Sequence, residues 1–477
     1  MNASSAWPAW TVVTPLIGAL ASWLTGRKCA LVAIASAVAT LAVTIVLACE
    51  VHVRGPVSHR VGGWGAPLGI ELRVDGAAAL LLSVFGAVTA LTSASAVAHF
   101  PVGRRRSTFV ALWLIAWAGL NALLVSADLF NLYVALELIT LASVGLISLG
   151  PSRESIGAAL QYLFVAILGS LGYLLGVALV YGECATLDVA LAGTRLAHGT
   201  IASAAFALVA AGLTLKSALF PLHAWLPAAY ANAPPPAAAL LSGVLGKAAF
   251  VVLYRLIGET FRSVDDAAPA QIFGVQAGAA IVWCSVLALR QRRLKMLIAY
   301  SSLAQMGYMF LAFPIGTPLA RAGALYIAIS HAAASAAMFT AAGALERASG
   351  NDSIDALAGV AQRNPLTFFS LAIGGVNLMG LPPTGGFIAK WLLVRAAVEA
   401  GQWWWAIVVL LGGLVAAAYV FRVLREAFVT AVPLPATADA PQLGEIVSLL
   451  LAVVSLLLGV SPSWPLSLAM QSLGGDP

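Results

Sequence analysis

Residues 216–227 read KSALFPLHAWLP and lie inside an apolar stretch that extends from residue 201 to residue 231. Pro221 has no N–H to donate to the carbonyl four residues earlier, so a helix through this stretch stops or kinks there. Freed backbone groups are tolerated inside a bilayer only beside protein or a water-filled cavity. The stretch therefore predicts a discontinuous membrane helix with a hydrated interior. Lys216 precedes the break, at a helix C-terminus that favours a cation.

A second apolar stretch contains a break of the same kind, where residues 380–390 read GLPPTGGFIAK. Pro382 and Pro383 interrupt the helix, and Lys390 follows the break instead of preceding it. The dipole at the start of a helix disfavours a cation. We therefore expect Lys216 to hold its proton more tightly than Lys390, which would be the release or exchange point.

Composition extends the membrane prediction to the whole chain. Of its 477 residues, 61% are hydrophobic and only 9% are charged, against roughly 25% charged residues in soluble domains. Because each spanning helix needs about 20 apolar residues, we predict an all-α integral membrane protein with about fourteen transmembrane helices. The predicted spans are 8–25, 29–49, 76–99, 107–125, 127–148, 156–181, 201–231, 235–258, 268–289, 294–313, 319–346, 365–401, 403–430 and 443–461.

The distribution of basic residues predicts the orientation. With the N-terminus outside, twice as many lysines and arginines fall in the cytoplasmic loops as in the outer loops, and the positive-inside rule favours this arrangement. We predict a multi-pass protein of the bacterial inner membrane with both termini outside. The net charge of +6 has its source in these loops, and no basic run beside aromatic residues points to nucleic acid.

The order of the predicted helices suggests an internal duplication. We predict one membrane domain over 1–477, with three helices in 1–106, five-helix repeats in 107–259 and 268–430, and a last helix at 443–461. The broken helix is the fourth of five in each repeat, which is typical of inverted-repeat transporters. Since five is odd, the second repeat enters the membrane from the opposite side.

Further ionisable residues lie inside apolar spans, namely Glu137, Lys247 and His331. An uncompensated charge at the bilayer centre costs about 2.5–3.5 kcal/mol on insertion scales, so several of them predict mutual pairing, bound water and a function. A buried lysine whose distance to a carboxylate changes can switch between holding and releasing a proton, whereas an arginine stays charged. We therefore predict a proton relay in which these three residues act with Lys216 and Lys390.

These residues also have purely structural interpretations. The lysines could be static packing cations, with Glu137 as their structural partner. His331 could be a satisfied core histidine, and His223 a hydrogen-bonding group at a helix end. The polar residues predicted to assist the relay are His223, Ser242 and Ser330.

Other polar residues are assigned no part in the relay. Lys295 is interpreted as a solvated charge at the start of a helix, and Arg395 as a side chain that extends toward the interfacial tryptophans. No metal or cofactor site is predicted, because the cysteines are scattered without a CxxC motif or a histidine partner. The cysteines are Cys29, Cys49, Cys184 and Cys284.

Several motifs in order along the chain resemble a known family, the antiporter-like membrane subunits. This family includes subunits of respiratory NADH–quinone oxidoreductase, of membrane-bound hydrogenases and of Mrp-type multisubunit cation/proton antiporters. The motifs are FNLYVALE at 130–137, KSALFPLHAWLP at 216–227, AAYANAP at 228–234, KMLIAYSSLAQMGY at 295–308 and GLPPTGGFIAK at 380–390. The resemblance implies a fourteen-helix fold with two inverted five-helix repeats.

The resemblance also implies a role for each relay residue. Glu137 and Lys216 form a proton-modulating pair, Lys247 is the central relay, and Lys390 is the terminal site with His331 before it. A lysine at the terminal position is unlike the M-type respiratory subunit, which has a glutamate there. The stretch AYANAPPP at 229–236 is most similar to the D-type Mrp subunit, with the N-type respiratory subunit second.

The function implied is that of a proton-translocating subunit in a multisubunit Na⁺/proton antiporter. The alternative is an antiporter-like subunit of NADH–quinone oxidoreductase or of a membrane-bound hydrogenase. We expect a transport subunit instead of an enzyme, or a translocase component in the respiratory case. The expected partners are other membrane subunits, protons, Na⁺ and the lipid bilayer, without a cofactor.

Overall fold

The computed structural model describes residues 3–262, 264, 267–429 and 442–472, and helices make up nearly all of this part of the chain. The helices are α1 (Trp7–Thr25), α2 (Cys29–Arg54), α3 (Gly76–His99), α4 (Arg104–Val125), α5 (Leu129–Ser148), α6 (Arg153–Cys184), α7 (Val189–Arg195), α8 (Thr200–Lys216), α9 (Leu226–Asn232), α10 (Pro235–Gly243), α11 (Ala248–Glu259), α12 (Ala267–Arg290), α13 (Leu294–Phe310), α14 (Ala312–Ile315), α15 (Pro318–Ser349), α16 (Val360–Arg363), α17 (Pro365–Met379), α18 (Gly385–Glu399), α19 (Trp403–Ala427), α20 (Gln442–Val460) and α21 (Ser463–Gln471). Short 3₁₀ turns occur at Gly26–Lys28, Val61–Gly63, Leu245–Lys247 and Ile354–Leu357.

The predicted membrane fold is confirmed. Within the described ranges, 11 helical stretches are long and apolar enough to cross a membrane, and the first of them contains both α1 and α2. Counting α1 and α2 separately, and adding the broken helices α8–α9 and α17–α18, gives fourteen passages. Each broken helix is the fourth of five passages in its half, as predicted from the sequence.

Polar residues mark where several helices begin. The side chain of Asp128 accepts a hydrogen bond from the backbone N–H of Asn131 at 2.7 Å, and Asp75 does the same for Ala78 at 2.8 Å. Such N-caps satisfy one of the free N–H groups in a first helical turn. They fix where α5 and α3 begin. The positions of residues farther along those helices follow from these starting points.

A small sheet that the sequence analysis did not predict lies beside the helix ends. Strand β1 (Ala3–Ser4) pairs in parallel with β2 (Val57–Arg60), which pairs antiparallel with β3 (Glu71–Val74). Strands of two to four residues carry too little alternation to be recognised among apolar runs of helical length. The sheet joins the N-terminal segment to the connection between α2 and α3.

Helix α15 is the centre of the bundle. Every residue from Ala322 to Leu345 is buried, and the helix packs against α3, α10, α13, α17, α18 and α20. Most of its residues are alanine or other small residues, which allow neighbouring backbones to approach closely in a membrane. Outer helices instead expose large apolar side chains, such as Leu31, Phe164 and Leu414, that fit a lipid environment.

The two predicted breaks are present at the predicted residues. Helix α8 ends at Lys216 and α9 begins at Leu226, with nine residues between them, while α17 ends at Met379 and α18 begins after a short turn that holds Pro382 and Pro383. In the first break Ala218 has a φ of 50°. This left-handed conformation is costly for any residue with a Cβ.

A third interruption separates α10 from α11. The α-helix ends at Gly243, a 3₁₀ turn covers Leu245–Lys247, and α11 begins at Ala248. A short 3₁₀ segment inside a helix often marks a hinge or a strained functional position. The apolar run at 235–258 predicts one continuous helix here, because no proline follows Pro236 within it.

Candidate functional site

Each of the three predicted relay lysines lies at an interruption in a membrane helix. Lys216 is the last residue of α8, Lys247 ends the 3₁₀ turn before α11, and Lys390 lies in α18 just after the second break. All three side chains are buried, with at most 6% of their surface exposed. Interrupted helices free carbonyl oxygens that can accept hydrogen bonds from an ammonium group.

The structure brings Glu137 and Lys216 together. The Lys216 Nζ donates to Glu137 Oε1 at 3.0 Å and to Thr140 Oγ1 at 3.1 Å. It also donates to Ser170 Oγ, and that hydroxyl donates to the same Glu137 oxygen. A lysine has three N–H donors, so these three oxygens satisfy it completely.

Close packing of α6 on α8 places Ser170 beside the ion pair. A Cβ at Gly169 would lie 2.7 Å from Lys216 Cγ and 2.8 Å from the carbonyl oxygen of Gly212. Any larger residue at this position would therefore separate the two helices. Small residues at helix–helix contacts are the sequence signal for such an approach, and Gly169, Gly172 and Gly176 supply them on α6.

Lys247 has no carboxylate partner among the described residues. Its Nζ donates to the carbonyl oxygen of Ser242, in the last turn of α10 before the 3₁₀ turn. The hydroxyl of Ser242 is in turn hydrogen-bonded to Ser335 on α15 at 2.7 Å and to Ser302 on α13 at 2.8 Å. The predicted auxiliary role of Ser242 thus has a definite geometry, in which it joins Lys247 to two other helices.

His331 lies on α15 one turn before Ser335. Its side chain is buried, and neither ring nitrogen has a hydrogen-bond partner within the described ranges. The neighbouring Ser330 faces Gly385 at the start of α18, while Ala332 faces Gly243 on α10. His331 therefore lies on α15 between the residue that contacts α10 and the residue that contacts α18.

Lys390 extends back to the first half of its broken helix. Its Nζ donates to the carbonyl oxygens of Leu378 at 2.7 Å and Met379 at 3.2 Å, and it lies 4.3 Å from the centre of the Tyr308 ring. The expectation that the helix field opposes a charge here is wrong, because it considered only the start of α18. The side chain reaches the carbonyl end of α17, where the field favours a cation.

Gln305 on α13 is a further polar residue at this site, and no pattern in the sequence predicts its role. It lies one turn after Ser302 on the same face of the helix, and its Nε2 donates to the Leu378 carbonyl at 3.5 Å. Lys390 donates to the same oxygen. One face of α13 therefore holds Ser302, which is hydrogen-bonded to Ser242, and Gln305, which shares the Leu378 carbonyl with Lys390.

His223 lies in the first break but is not joined to Lys216 by a hydrogen bond. Its ring stacks on Phe220 with the centroids 5.4 Å apart, and its Nδ1 has no partner in the part of the chain that the structure describes. The breaks themselves contain Pro221, Pro382 and Pro383 as predicted. The auxiliary role of His223 stays a prediction.

Lys295 corrects one interpretation from the sequence. It is buried, and its Nζ lies 2.9 Å from Glu346 Oε2 at the far end of α15, so it is not a solvated loop charge. Arg395 is different, because its side chain is 57% exposed and pairs with Glu399 one turn later on the same helix. Among the described residues, no group of three metal-binding side chains occurs, and the cysteines are free.

Comparison with known proteins identifies relatives of the whole chain. Residues 126–415 match the family described as NADH:quinone oxidoreductase/Mrp antiporter, transmembrane. The chain is 37% identical to the N subunit of NADH-quinone oxidoreductase from Desulforudis audaxviator, over 91% of this chain and 89% of the relative. It is 30% identical to the D subunit of the Na(+)/H(+) antiporter from Alkalihalophilus pseudofirmus, over 76% and 73%. A chain of the Mrp complex from Dietzia sp. has a TM-score of 0.90 and 26% identity, covering 98% of this chain and 97% of that one.

Proposed function

Because the chain belongs to the NADH:quinone oxidoreductase/Mrp antiporter membrane family, we propose that protons cross it along a buried line of side chains. The line begins at the Glu137–Lys216 pair, continues through Lys247 and His331, and ends at Lys390. The observation that carries this proposal is the 3.0 Å contact of Lys216 Nζ with Glu137 Oε1 inside a broken membrane helix.

The first site has the parts of a proton switch. The Glu137 carboxylate and the hydroxyls of Thr140 and Ser170 stabilise the ammonium form of Lys216. When the carboxylate moves away, the lysine stays in an apolar interior that favours its neutral form, and the proton passes to water or to the next acceptor. A small change in one distance therefore decides whether Lys216 holds or gives up its proton.

The middle of the line depends on histidine and water. Buried polar groups without a partner are rare and usually mark an ordered water or a functional position. His331 has two such nitrogens, and an imidazole can accept a proton on one nitrogen while it gives one up from the other. We propose that water next to His331 and Ser335 connects Lys247 to Lys390.

As host we propose a Mrp-type monovalent cation/proton antiporter, with other membrane subunits as partners and Na⁺ as the exchanged ion. The stretch at 229–236 and the match to a Mrp complex chain support this assignment. A second candidate is the N-type subunit of a respiratory oxidoreductase, because the identity to such a subunit is 37% over most of the chain. In either complex, we propose that both termini face outward.

The test uses the complete complex purified from its native membrane and reconstituted in vesicles. Proton movement driven by a Na⁺ gradient supports the antiporter, whereas proton movement that requires quinone reduction supports the respiratory assembly. In both cases Lys216→Ala is expected to lower proton flux about a hundredfold or more, the scale of a lost proton-transfer group. Lys28→Ala, which removes an exposed lysine, is the matched control. Wild-type flux in an assembled Lys216→Ala complex would overturn the proposed line.

A further inference from the structure

A cavity of ≈ 260 Å³ lies where α11 ends and α3 and α15 begin, on the face that holds both termini. Within the described part of the chain, its charged lining residues are Arg73, Arg255, Arg262, Arg321, Asp75 and Glu259. Four guanidinium groups face two carboxylates, so these residues carry an excess of two positive charges. Such an excess is unusual on this face, because most of the basic loop residues are predicted to lie on the face opposite the termini.

The arginines are not equally neutralised. Glu259 pairs with Arg73 and lies 3.7 Å from Arg255, while Arg262, within the described ranges, donates only to the carbonyl of Gly258. Arg321 donates to no group among the described residues. The hydroxyl of Tyr254, also in the lining, is buried without a hydrogen-bond partner in the same part of the chain. The cavity therefore presents unused donors to an anion.

Two further cavities adjoin the first. The first cavity shares Tyr254 and Arg321 with a second cavity of ≈ 380 Å³, which has aromatic walls that include Phe313. The second cavity shares Phe206 and Phe273 with a third space of ≈ 380 Å³ between α8 and α12. Most of the third lining is apolar, and its residues Leu222 and Ile272 are exposed on the outside of the bundle.

We propose that these three adjoining cavities together bind one phospholipid with an anionic headgroup. The phosphate would lie among the arginines, since guanidinium groups recognise phosphate through paired hydrogen bonds. An acyl chain would lie between α8 and α12. The lining from Ser203 to Thr214 runs along about 16 Å of helix at about 1.5 Å per residue, which is half of a hydrocarbon core of about 30 Å.

The position of this lipid relates it to the transport machinery. Thr214 lines the apolar cavity and lies two residues before Lys216 on the same helix. Helix α8 belongs to the first five-helix half and α12 to the second. A lipid at this site therefore joins the two halves beside the first broken helix. A free phosphate ion would use the arginines but would leave the apolar cavities unfilled.

The test measures lipid retained by the full chain with its accompanying subunits after purification in detergent. Native mass spectrometry is expected to show one bound phosphatidylglycerol-type lipid, and added phosphatidylglycerol is expected to raise the thermal unfolding midpoint. The double variant Arg262→Ala/Arg321→Ala is expected to lower retention at least about tenfold, because it removes the charge-assisted hydrogen bonds to the phosphate. Arg60→Ala, an exposed arginine outside the cavity, is the matched control.

A second variant addresses the acyl chain. Ala211→Phe fills the apolar cavity without changing an arginine, and it is expected to lower retention as well. Equal retention in wild type and in both variants overturns the proposal. So does stabilisation by inorganic phosphate alone that matches stabilisation by phosphatidylglycerol, since this result assigns the arginines to a free anion.

Discussion

Each of the two broken helices holds a buried lysine beside its break, but different groups bind the ammonium of that lysine. At the first break, Lys216 is bound by a carboxylate and two hydroxyls that belong to α5 and α6. At the second break, Lys390 is bound by two backbone carbonyls of its own broken helix and by an aromatic ring. No carboxylate of the described residues reaches Lys390.

This difference suggests how each site can be controlled. A side chain such as Glu137 can change rotamer, or be drawn away by a charge on a neighbouring subunit, without any movement of α8. The carbonyls of Leu378 and Met379 move only with the backbone of α17. We therefore interpret the first site as responsive to its surroundings and the second as a fixed cradle whose occupancy depends on water and on Lys390 itself.

Arginine at the first lysine position gives the largest expected effect. Lys216→Arg keeps the charge and can keep the ion pair with Glu137, but a guanidinium stays protonated in proteins. Proton flux in reconstituted vesicles is expected to fall about a hundredfold or more, as it is expected to do in Lys216→Ala. Substantial flux in this variant would contradict proton exchange at Lys216 and would leave it as a static cation.

Glu137→Gln tests the feature that distinguishes the two sites. It preserves the shape of the side chain and removes the charge that holds Lys216. A hydrogen bond to a charged group is worth about 1.5–3 kcal/mol, and a tenfold change corresponds to about 1.4 kcal/mol. Flux is expected to fall about tenfold to a hundredfold.

The matched control for Glu137→Gln is Glu399→Gln. This variant removes an exposed carboxylate that pairs with Arg395 on α18. This control is expected to transport like wild type. If Glu137→Gln itself transports normally in an assembled complex, the comparison between the two breaks loses its basis.

The second site has a weaker accessory group, Gln305. Gln305→Leu removes its hydrogen bond to the Leu378 carbonyl, to which Lys390 also donates. Neutral hydrogen bonds contribute about 0.5–1.5 kcal/mol, so flux is expected to fall about threefold. Gln305→Glu sharpens the comparison, because it places a carboxylate near Lys390 and is expected to make this lysine depend on a side-chain charge, as Lys216 does. Equal flux in wild type, Gln305→Leu and Gln305→Glu would exclude Gln305 from the proton path.

The smallest effect concerns the backbone of the first break. Ala218 has a φ of 50°, a conformation that costs roughly 1–2 kcal/mol for a residue with a Cβ. Ala218→Gly relieves this strain but increases the freedom of the unfolded chain by a comparable amount. The free energy of unfolding is therefore expected to change by less than about 1 kcal/mol, as measured by thermal unfolding. A large loss of stability would show that the Cβ of Ala218 has a packing role.

Much of this architecture could be predicted from local sequence. Apolar runs of spanning length and proline residues depend on neighbours along the chain, so the spans and the two breaks were predicted to within a few residues. The small number of lysines also pointed to the buried sites. The chain has 25 lysines and arginines, of which only five are lysines, and four of these five side chains are buried at ion pairs or helix interruptions.

Partners on other helices could not be predicted in the same way. Whether Ser170 faces Lys216 depends on the rotation of α6 and on its crossing with α8, and neither quantity is encoded locally. The buried pair of Lys295 and Glu346 was missed for the same reason, since both residues are near helix ends where solvation is the usual expectation. The interruption before Lys247 was missed because a 3₁₀ turn needs no proline.

The positions of the three interruptions have an electrical consequence. Lys216, Lys247 and Lys390 lie in the interior of three different spans, so a proton on the proposed line would move mainly within the plane of the membrane. A full crossing of the membrane changes the energy of a charge by about 2.3 kcal/mol per 100 mV, but a lateral step crosses little of that potential. For such a path, membrane voltage acts on the steps by which protons enter and leave the chain, and the transfers between the lysines are nearly independent of it.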